Sequence, residues 1–259
     1  MNDSMYTAMF GALTQEHRLD IIANNLANVN TTAYKQDKLA FKDVMVHYAH
    51  DQIMEPVVNL RSEKLLPDPK ILAKPRIASV YTDFSQGGLE LTGNPLDLAI
   101  QGEAFFKVRT PGGDLFTRDG HFVVNDAGTL VTPNGYPVLG QGAEITLPAN
   151  GEVLIDQAGQ VYVNGELVDQ LELSTVDDLR ALEKVGHNFY RLPDNAEAQE
   201  LAPENATVEQ GYLESANVQV VEEMVNMIEA QRAYEAYSKV IKSSEETDQK
   251  AITKVGQTS

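Results

Sequence analysis

Apolar residues near the N-terminus recur with the spacing of an amphipathic helix. Between residues 3 and 30, one series advances in steps of seven, and a second series follows it three residues later. The apolar positions are Met5, Ala8, Ala12, Leu19, Ile22, Leu26 and Val29, and Gln15 is the single polar interruption. The pattern predicts an N-terminal helix with one apolar seam.

Residues 216–254 carry the same kind of pattern at the other end of the chain. The series contains Val220, Met227, Tyr234 and Ile241, and it is widened by Val221, Met224, Ile228, Ala230 and Tyr237. A helix of about 38 residues extends roughly 57 Å, which is too long to pack fully against one compact domain. Two arrangements stay open. In the first, the helices pair within one chain. In the second, they join a coiled-coil layer completed by other chains, and the small apolar surface of a single pair favours this arrangement.

Between residues 87 and 207 the pattern changes to short apolar runs separated by turn sequences. The clearest turns are Pro111-Gly112-Gly113, Asn125–Gly128, Asn134-Gly135 and Asn164-Gly165. Turns that recur about every ten residues predict an all-β domain. Residues 36–86 have mixed patterning and four prolines, which predicts an extended, irregular connector.

The sequence therefore predicts an α+β protein. Long N- and C-terminal helices are expected to form a coiled-coil-like layer, and a central all-β domain is expected between them. The predicted domains are a discontinuous helical assembly domain at 1–35 and 208–259, an extended connector at 36–86, and an acidic β domain at 87–207.

The chain is strongly acidic, and the charge is concentrated in its middle. The net charge is −18, and residues 87–207 carry nineteen acidic and six basic residues, a net of −13. Such a chain is repelled by nucleic-acid phosphates and anionic membrane surfaces, so neither is an expected partner. Two interpretations stay open: the acidity is that of an ordinary solvated surface, or the middle faces water while the two ends face protein.

Several classes of chemistry are excluded by what the sequence lacks. There is no cysteine, which removes disulfides, thiol nucleophiles and cysteine-based metal sites. No apolar run approaches the roughly 18 residues that span a bilayer, so no membrane insertion is expected. The first basic residue is Arg18, and without a basic and then apolar leader we do not expect export by the usual signal-peptide route.

No catalytic, cofactor-binding or metal-binding constellation is recognisable in the sequence. Gly140-Gln141-Gly142 lacks the third glycine of a dinucleotide fingerprint, and no phosphate loop or nucleophile elbow occurs. His47 and His50 are three residues apart but have no third ligand nearby. We therefore expect a protein without enzymatic activity, cofactor or metal.

Three groups of motifs resemble those of the bacterial flagellar basal-body rod and hook proteins, in the same order along the chain. The N-terminal motif is LDIIANNLANVNTTAYK at 19–35. The motifs of the middle are GLELTGNPLDLAIQG at 88–102, TRDG at 117–120 and GTLVT at 128–132. The C-terminal motifs are GYLESANV at 211–218, EEMV at 222–225 and QRAYE at 231–235.

The resemblance implies a structural subunit that is not an enzyme. In the family, the terminal helices of each subunit pack in a tubular layer around an axial channel, with the β domain outside. Subunits leave the cell through the flagellar type III export channel. The implied partners are other rod subunits, further copies of the chain and the export apparatus, and the implied location is the periplasmic rod of the flagellar basal body.

Within the family, the sequence resembles the proximal rod type. Residues 71–80 lack the G-x-G stretch usual in distal rod proteins, and 259 residues leave no room for the large outer domain of hook proteins. A distal rod subunit is the alternative within the family. A cell-wall hydrolase and an export adaptor are the alternatives outside it.

The residues predicted to form the assembly interface lie on the two helical ends. They are Met5, Ala12, Leu19, Ile22, Asn24, Asn25, Leu26, Asn28, Val220, Met224, Met227, Tyr234, Tyr237 and Ile241. The three asparagines have two interpretations: their amides cap the local backbone, or they bind a neighbouring subunit and fix its register. Ala33 and Ala104 stand where the family usually has glycine, which alone adopts a positive φ without cost, and Ala216 stands where serine is common.

Overall fold

The computed structural model describes residues 2–46, 72–141, 143–148, 151–203 and 205–256. Two helices lie towards the ends of the chain, α1 at Asn2–Ala27 and α2 at Val220–Gly256. The strands are β1 Asp37–Val46, β2 Leu72–Thr82, β3 Leu89–Leu91, β4 Leu98–Gln101, β5 Phe105–Thr110, β6 Gly113–Thr117, β7 Val123–Val124, β8 Leu130–Val131, β9 Val153–Ile155, β10 Gln160–Val163, β11 Glu166–Gln170, β12 Leu173–Val176, β13 Glu183–Gly186, β14 Phe189–Arg191, β15 Glu200–Leu201, β16 Thr207–Gln210 and β17 Tyr212–Glu214. A short 3-10 helix lies at Leu179–Ala181. Residues 47–71 of the predicted connector, with His47 and His50, lie outside the described residues.

Contacts divide the described residues into two compact units. The larger consists of Asn24–Asp37 and Thr82–Glu223, and so includes the end of α1 and the first turn of α2. The smaller contains most of both helices and most of β1 and β2, which pair as a two-stranded sheet.

The terminal helices do not form the coiled-coil-like layer that the sequence predicts. A coiled coil requires its apolar positions to close into a continuous seam, yet Tyr234 of the seven-residue series is 38% exposed and Met224, which widens that series, is 49% exposed. Three residues after Val220, a seam position of α2 is occupied by Glu223, which is buried, and a seam position of α1 is occupied by the polar Gln15. The prediction of this layer is therefore wrong, because polar residues occupy positions that a seam needs filled with large apolar ones. The α+β class itself is confirmed by two helices and a β-rich middle.

The larger unit is built from antiparallel strands. Its main sheet has the order β13-β14-β6-β5-β12-β15, and a second sheet has the order β11-β10-β9. The short strands β3 and β4 pair with β17 and β16. This pairing places the residues just before α2 beside the first strands of the unit.

Two apolar clusters stabilise the larger unit. One contains Phe106 and Phe122, whose fully buried rings meet edge-on with centroids 5.1 Å apart. The other contains Phe105, Phe116 and Tyr190. Phe105 and Phe106 follow each other on β5 and therefore point to opposite faces of the sheet, which is why adjacent residues belong to different clusters.

The two alanines that replace the family's usual glycines differ in backbone conformation. Ala33 has a φ of 54°, in the left-handed region that costs a residue with a Cβ roughly 1–2 kcal/mol. Ala104 is buried and is not among the described residues with positive φ. At Ala33 the chain turns after α1, and the Ala33 amide donates to the Glu214 carbonyl oxygen at 2.7 Å.

Candidate assembly site

The two helices contact each other through small and polar residues. A Cβ atom placed on Gly11 would lie 2.5 Å from the Tyr237 ring, so the ring packs directly against the backbone of α1. Further along α1, the Arg18 guanidinium donates to the Asn226 amide oxygen at 3.4 Å. Ala12, beside Gly11, is buried as well. Small side chains on α1 thus allow the large tyrosine ring to approach closely.

A second face of α2 exposes large apolar side chains. Val221, Met224, Val225 and Ile228 follow the i, i+3, i+4, i+7 spacing of one helix face, and they are between 49% and 76% exposed. We call these four residues the α2 strip. A row of exposed apolar side chains on one helix face is the pattern of a helix that binds protein.

A shorter strip of the same kind lies on α1. It consists of Tyr6, Met9 and Leu13, all of them exposed, and we call it the α1 strip. None of these three residues belongs to the assembly interface predicted from the sequence. Their i, i+3, i+7 spacing is visible in the sequence, but each lies one position after Met5, Ala8 or Ala12 of the predicted seam, about 100° round the helix from it.

The predicted interface residues differ in exposure. Ala12, Ile22 and Asn25 are buried, whereas Met224 and Tyr234 are exposed. Asn24 is exposed too, and the partly buried members are Met5, Leu19, Leu26, Asn28, Val220, Met227, Tyr237 and Ile241. The interface itself stays a prediction, and its exposed members are the ones that a partner can reach directly.

The side chain of the buried Asn25 forms hydrogen bonds within the chain. Its amide nitrogen donates to the Asp37 carbonyl oxygen at 3.0 Å, and its amide oxygen accepts from the Asp37 backbone amide at 3.0 Å. Asn28 donates to the Asn24 carbonyl oxygen at 2.9 Å. These bonds fix the chain as it leaves α1. A bond to a neighbouring subunit stays a prediction for the exposed Asn24.

The Tyr34 hydroxyl lies against the same asparagines. It donates to the Asn24 amide oxygen at 2.7 Å and lies 3.2 Å from the Asn25 amide oxygen. Burial, assisted by the carboxylates of Asp37 and Glu223, raises the pKa of Tyr34 to about 12. Burial also raises the pKa of Tyr190, whose hydroxyl has no hydrogen-bond partner within the described part of the chain.

The free energy of unfolding is expected to fall between pH 10 and pH 12. An unfolded tyrosine ionises near pH 10, whereas folded Tyr34 keeps its proton until about pH 12, so the unfolded state gains stability across that window. Tyr34→Phe is expected to cost about 1 kcal/mol at neutral pH, because the hydroxyl's hydrogen bonds are lost, and to flatten the alkaline decline. Urea unfolding at a series of pH values measures both effects. An equally steep decline in Tyr34→Phe, in Tyr190→Phe and in the unchanged chain would contradict this assignment.

A buried ion pair joins the segment after α1 to the segment before α2. The Lys35 ammonium lies 2.6 Å from Glu214 Oε1, and both side chains are fully buried. Lys35 also donates to the Ser85 carbonyl oxygen at 2.7 Å, and the Gly87 amide donates to Glu214 Oε1 at 2.8 Å. Burial lowers the pKa of Lys35, and the charge and hydrogen bond of Glu214 oppose that shift. Protein groups thus replace the water that would otherwise solvate the two charges.

Arg118 places a second buried cation beside Glu214. Its Nη1 lies 3.6 Å from Glu214 Oε2, and its terminal nitrogens donate to the Ile100 and Gly102 carbonyl oxygens at 3.3 and 2.6 Å. The guanidinium carbon lies 5.3 Å from the centre of the Phe105 ring, a cation–π arrangement. Burial lowers the pKa of Arg118, and Glu214 opposes the shift.

We call Lys35, Arg118 and Glu214 the junction. The sequence alone predicts no role for these residues, although each lies inside a motif that carries the family resemblance. Their only signal was that each is a charged residue within such a motif, and Asp20 and Asp119 share that property. Nothing local to any of the three motifs indicates that the charges meet.

Within the described ranges, no three histidine, aspartate or glutamate side chains are grouped so as to hold a metal ion. Neither helix, over the same ranges, combines the length and apolar character needed to cross a membrane.

Three family matches cover the two helical ends and part of the β-rich unit. Residues 5–35 match the family described as flagella basal body rod protein, residues 99–163 the flagellar hook protein FlgE/F/G D1 domain, and residues 209–254 the flagellar basal body rod FlgEFG protein C-terminal family. The chain is 36% identical over 258 residues to the flagellar basal-body rod protein FlgF of Caulobacter vibrioides, and the match covers 99% of each chain. The chain belongs to the flagellar basal-body rod protein family.

Other relatives in this family carry the name FlgG. The flagellar basal-body rod protein FlgG of Buchnera aphidicola subsp. Acyrthosiphon pisum is 36% identical over 263 residues, covering 96% of this chain and 98% of that protein. The FlgG of Bacillus subtilis is 31% identical over 262 residues, covering 96% and 97%. Membership of the family confirms the resemblance seen in the motifs and makes the chain a structural subunit of the flagellar basal-body rod. Because FlgF and FlgG relatives reach the same identity, the comparison does not separate a proximal from a distal rod subunit.

Proposed function

We propose that the chain polymerises into the rod through the α1 and α2 strips, in contact with copies of itself and with other rod subunits. The observation that carries the proposal is the α2 strip, four large apolar side chains in one row that the described part of the chain leaves uncovered. Covering a side chain that is half exposed contributes roughly 1 kcal/mol. The two strips together offer seven such side chains, and interfaces gain most of their affinity from clustered anchors of this kind.

The acidic charge of the chain also supports subunit contacts through the two strips. Chains with a net charge of −18 repel one another over a Debye length of about 10 Å at 0.1 M salt. The strips contain no charged residue, so they are where association is least opposed. We therefore propose that the helical domain at 1–35 and 208–259 makes the subunit contacts and that the acidic domain at 87–207 faces water.

The location and the route of the subunit belong to the same proposal. The subunit would reach the periplasmic part of the rod through the flagellar type III export channel, without a cleaved signal peptide, and would act there without catalysis. The absence of glycine from residues 71–80 favours a proximal position. The identity to FlgG makes a distal position the second candidate. A deletion strain separates the two, because a complete rod that lacks only the hook would contradict the proximal position.

Met224→Asp is expected to reduce incorporation into basal bodies at least ten-fold. Assembly would bury the new carboxylate without a partner, which is strongly unfavourable. The side chain is exposed in the single chain, so the urea midpoint should stay that of the unchanged protein. Immunoblots of purified basal bodies measure incorporation.

Leu154→Asp is the matched control for this experiment. It places the same charge at another exposed apolar residue, on β9 in the acidic domain. Normal incorporation of Leu154→Asp is expected. Incorporation of Met224→Asp at the level of the unchanged chain would refute the proposed surface, and loss of incorporation in Leu154→Asp alone would move the contact to the β domain.

A further inference from the structure

The junction connects the exit from one helix with the approach to the other. Lys35 lies eight residues after the end of α1 at Ala27, and Glu214 lies six residues before the start of α2 at Val220. Glu214 Oε1 accepts from the Lys35 ammonium and from the Gly87 amide. The Glu214 carboxylate therefore binds the segment after α1 to the segment before α2, of which Glu214 is itself a part.

Backbone and amide hydrogen bonds run beside this carboxylate. The Ala33 amide donates to the Glu214 carbonyl oxygen at 2.7 Å, and the Asn217 amide donates to the Tyr34 carbonyl oxygen at 3.3 Å. The Asn217 side-chain oxygen accepts from the Gln36 amide at 2.8 Å. Residues 33–36 and 214–217 thus lie side by side, and the junction lies at one end of this contact.

We infer that Glu214 is a positioning residue for rod assembly, because it fixes the segment that leaves α1 against the segment that leads into α2. The inference rests on the proposed function and adds a residue that affects assembly without belonging to the α1 or α2 strip. Glu214 is 1% exposed, so it acts inside the subunit and makes no contact with a neighbour.

The ionic character of the junction suits a positioning role. Apolar side chains of similar volume often stabilise a protein as well as a buried ion pair does, so stability alone does not explain the pair. Buried polar contacts at hydrogen-bond distance admit one register, whereas apolar packing tolerates sliding. Without Glu214, the buried Lys35 and Arg118 would both lose the carboxylate that forms their ion pair, and the two segments would loosen together.

Glu214→Gln tests the inference with two measurements on the full chain. Hydrogen exchange is expected to quicken at least ten-fold at residues 28–36 and 215–219 together, while residues 98–131 keep their protection. Incorporation into basal bodies is expected to fall at least ten-fold. Glu183→Gln is the matched control, because Glu183 pairs with Arg191 at 3.0 Å on the surface, and it should change neither measurement.

A covalent tether distinguishes positioning from other roles of Glu214. The Ser215 amide donates to the Gly88 carbonyl oxygen at 2.8 Å, and a Cβ placed on Gly88 would lie 3.1 Å from the Ser215 hydroxyl oxygen, so Gly88→Cys with Ser215→Cys suits a disulfide in a chain that has no cysteine. This tether holds the segment before α2 against residue 88 and does not include residues 33–36. In the Glu214→Gln chain, the oxidised tether is therefore expected to restore exchange protection at residues 215–219 but not at residues 28–36, and to leave incorporation at least ten-fold low.

Each contrary outcome has a separate meaning. Normal incorporation of Glu214→Gln overturns the positioning role, and so does full rescue by the oxidised tether, because a link that omits the segment after α1 would then be sufficient. Faster exchange throughout residues 98–131 also overturns it, because Glu214 would then be a general stability element. Absence of the unchanged chain from basal bodies would count against the proposed function instead, and the exchange measurement would still decide whether Glu214 couples the two segments.

Discussion

Lys35→Met is expected to lower the free energy of unfolding by about 3–5 kcal/mol, because it leaves the Glu214 carboxylate buried without its nearest cation. Methionine is also a long, unbranched side chain, so little of the loss would come from packing. Glu214 keeps the Gly87 amide and has Arg118 at 3.6 Å, but neither replaces an ammonium at 2.6 Å. Urea unfolding followed by circular dichroism measures the loss, which is large beside the 5–15 kcal/mol typical of a folded domain.

Lys107→Met is the matched control for this prediction. Lys107 lies 3.1 Å from Glu172 and 2.9 Å from Glu200, but these carboxylates are about one-third exposed. Water screens such pairs, and the expected loss is below about 1 kcal/mol. Equal losses in the two variants would show that burial does not govern the strength of the Lys35–Glu214 pair.

The helices could be predicted from the sequence because their periodicity is local. The predicted ranges 3–30 and 216–254 correspond to Asn2–Ala27 and Val220–Gly256. The coiled-coil-like layer was wrong because a seven-residue series shows that one face is apolar, and does not show what fills the space beside it. The contact of Gly11 with the Tyr237 ring depends on a residue far away in the sequence.

In the same way, the hairpin turns could be predicted from local sequence, whereas the strand order and the junction could not. Asn164 and Gly165 have φ values of 54° and 86° and join β10 to β11, as the turn sequence predicts, since such turns require positive φ at both central residues. The order β13-β14-β6-β5-β12-β15 depends on contacts between distant strands. The meeting of Lys35 with Glu214 depends on the contact of residues 33–36 with residues 214–217 and is equally invisible to local patterns.

Two glycines with similar positions in the sequence have different surroundings in the folded chain. Gly112 and Gly120 both lie between strands of the predicted β domain, and neither has a positive φ. A Cβ on Gly112 would have the Thr110 hydroxyl oxygen as its nearest neighbour, at 3.9 Å. A Cβ on Gly120 would lie 1.7 Å from the Leu98 carbonyl oxygen. Only the second glycine is required by a close approach of two backbones.

Gly120→Ala is therefore expected to lower the free energy of unfolding by about 3 kcal/mol, the upper end of the usual cost of overpacking. The obstacle is the backbone of β4, which cannot rotate aside as a flexible side chain could. The Leu98 amide donates to the Gly120 carbonyl oxygen at 3.0 Å, and Leu98 also pairs with Gln210 of β16, so displacing Leu98 would disturb both contacts. Gly112→Ala should stay within about 0.5 kcal/mol of the unchanged chain. If urea unfolding finds the two alanine variants equally stable, the close approach at Gly120 does not exist.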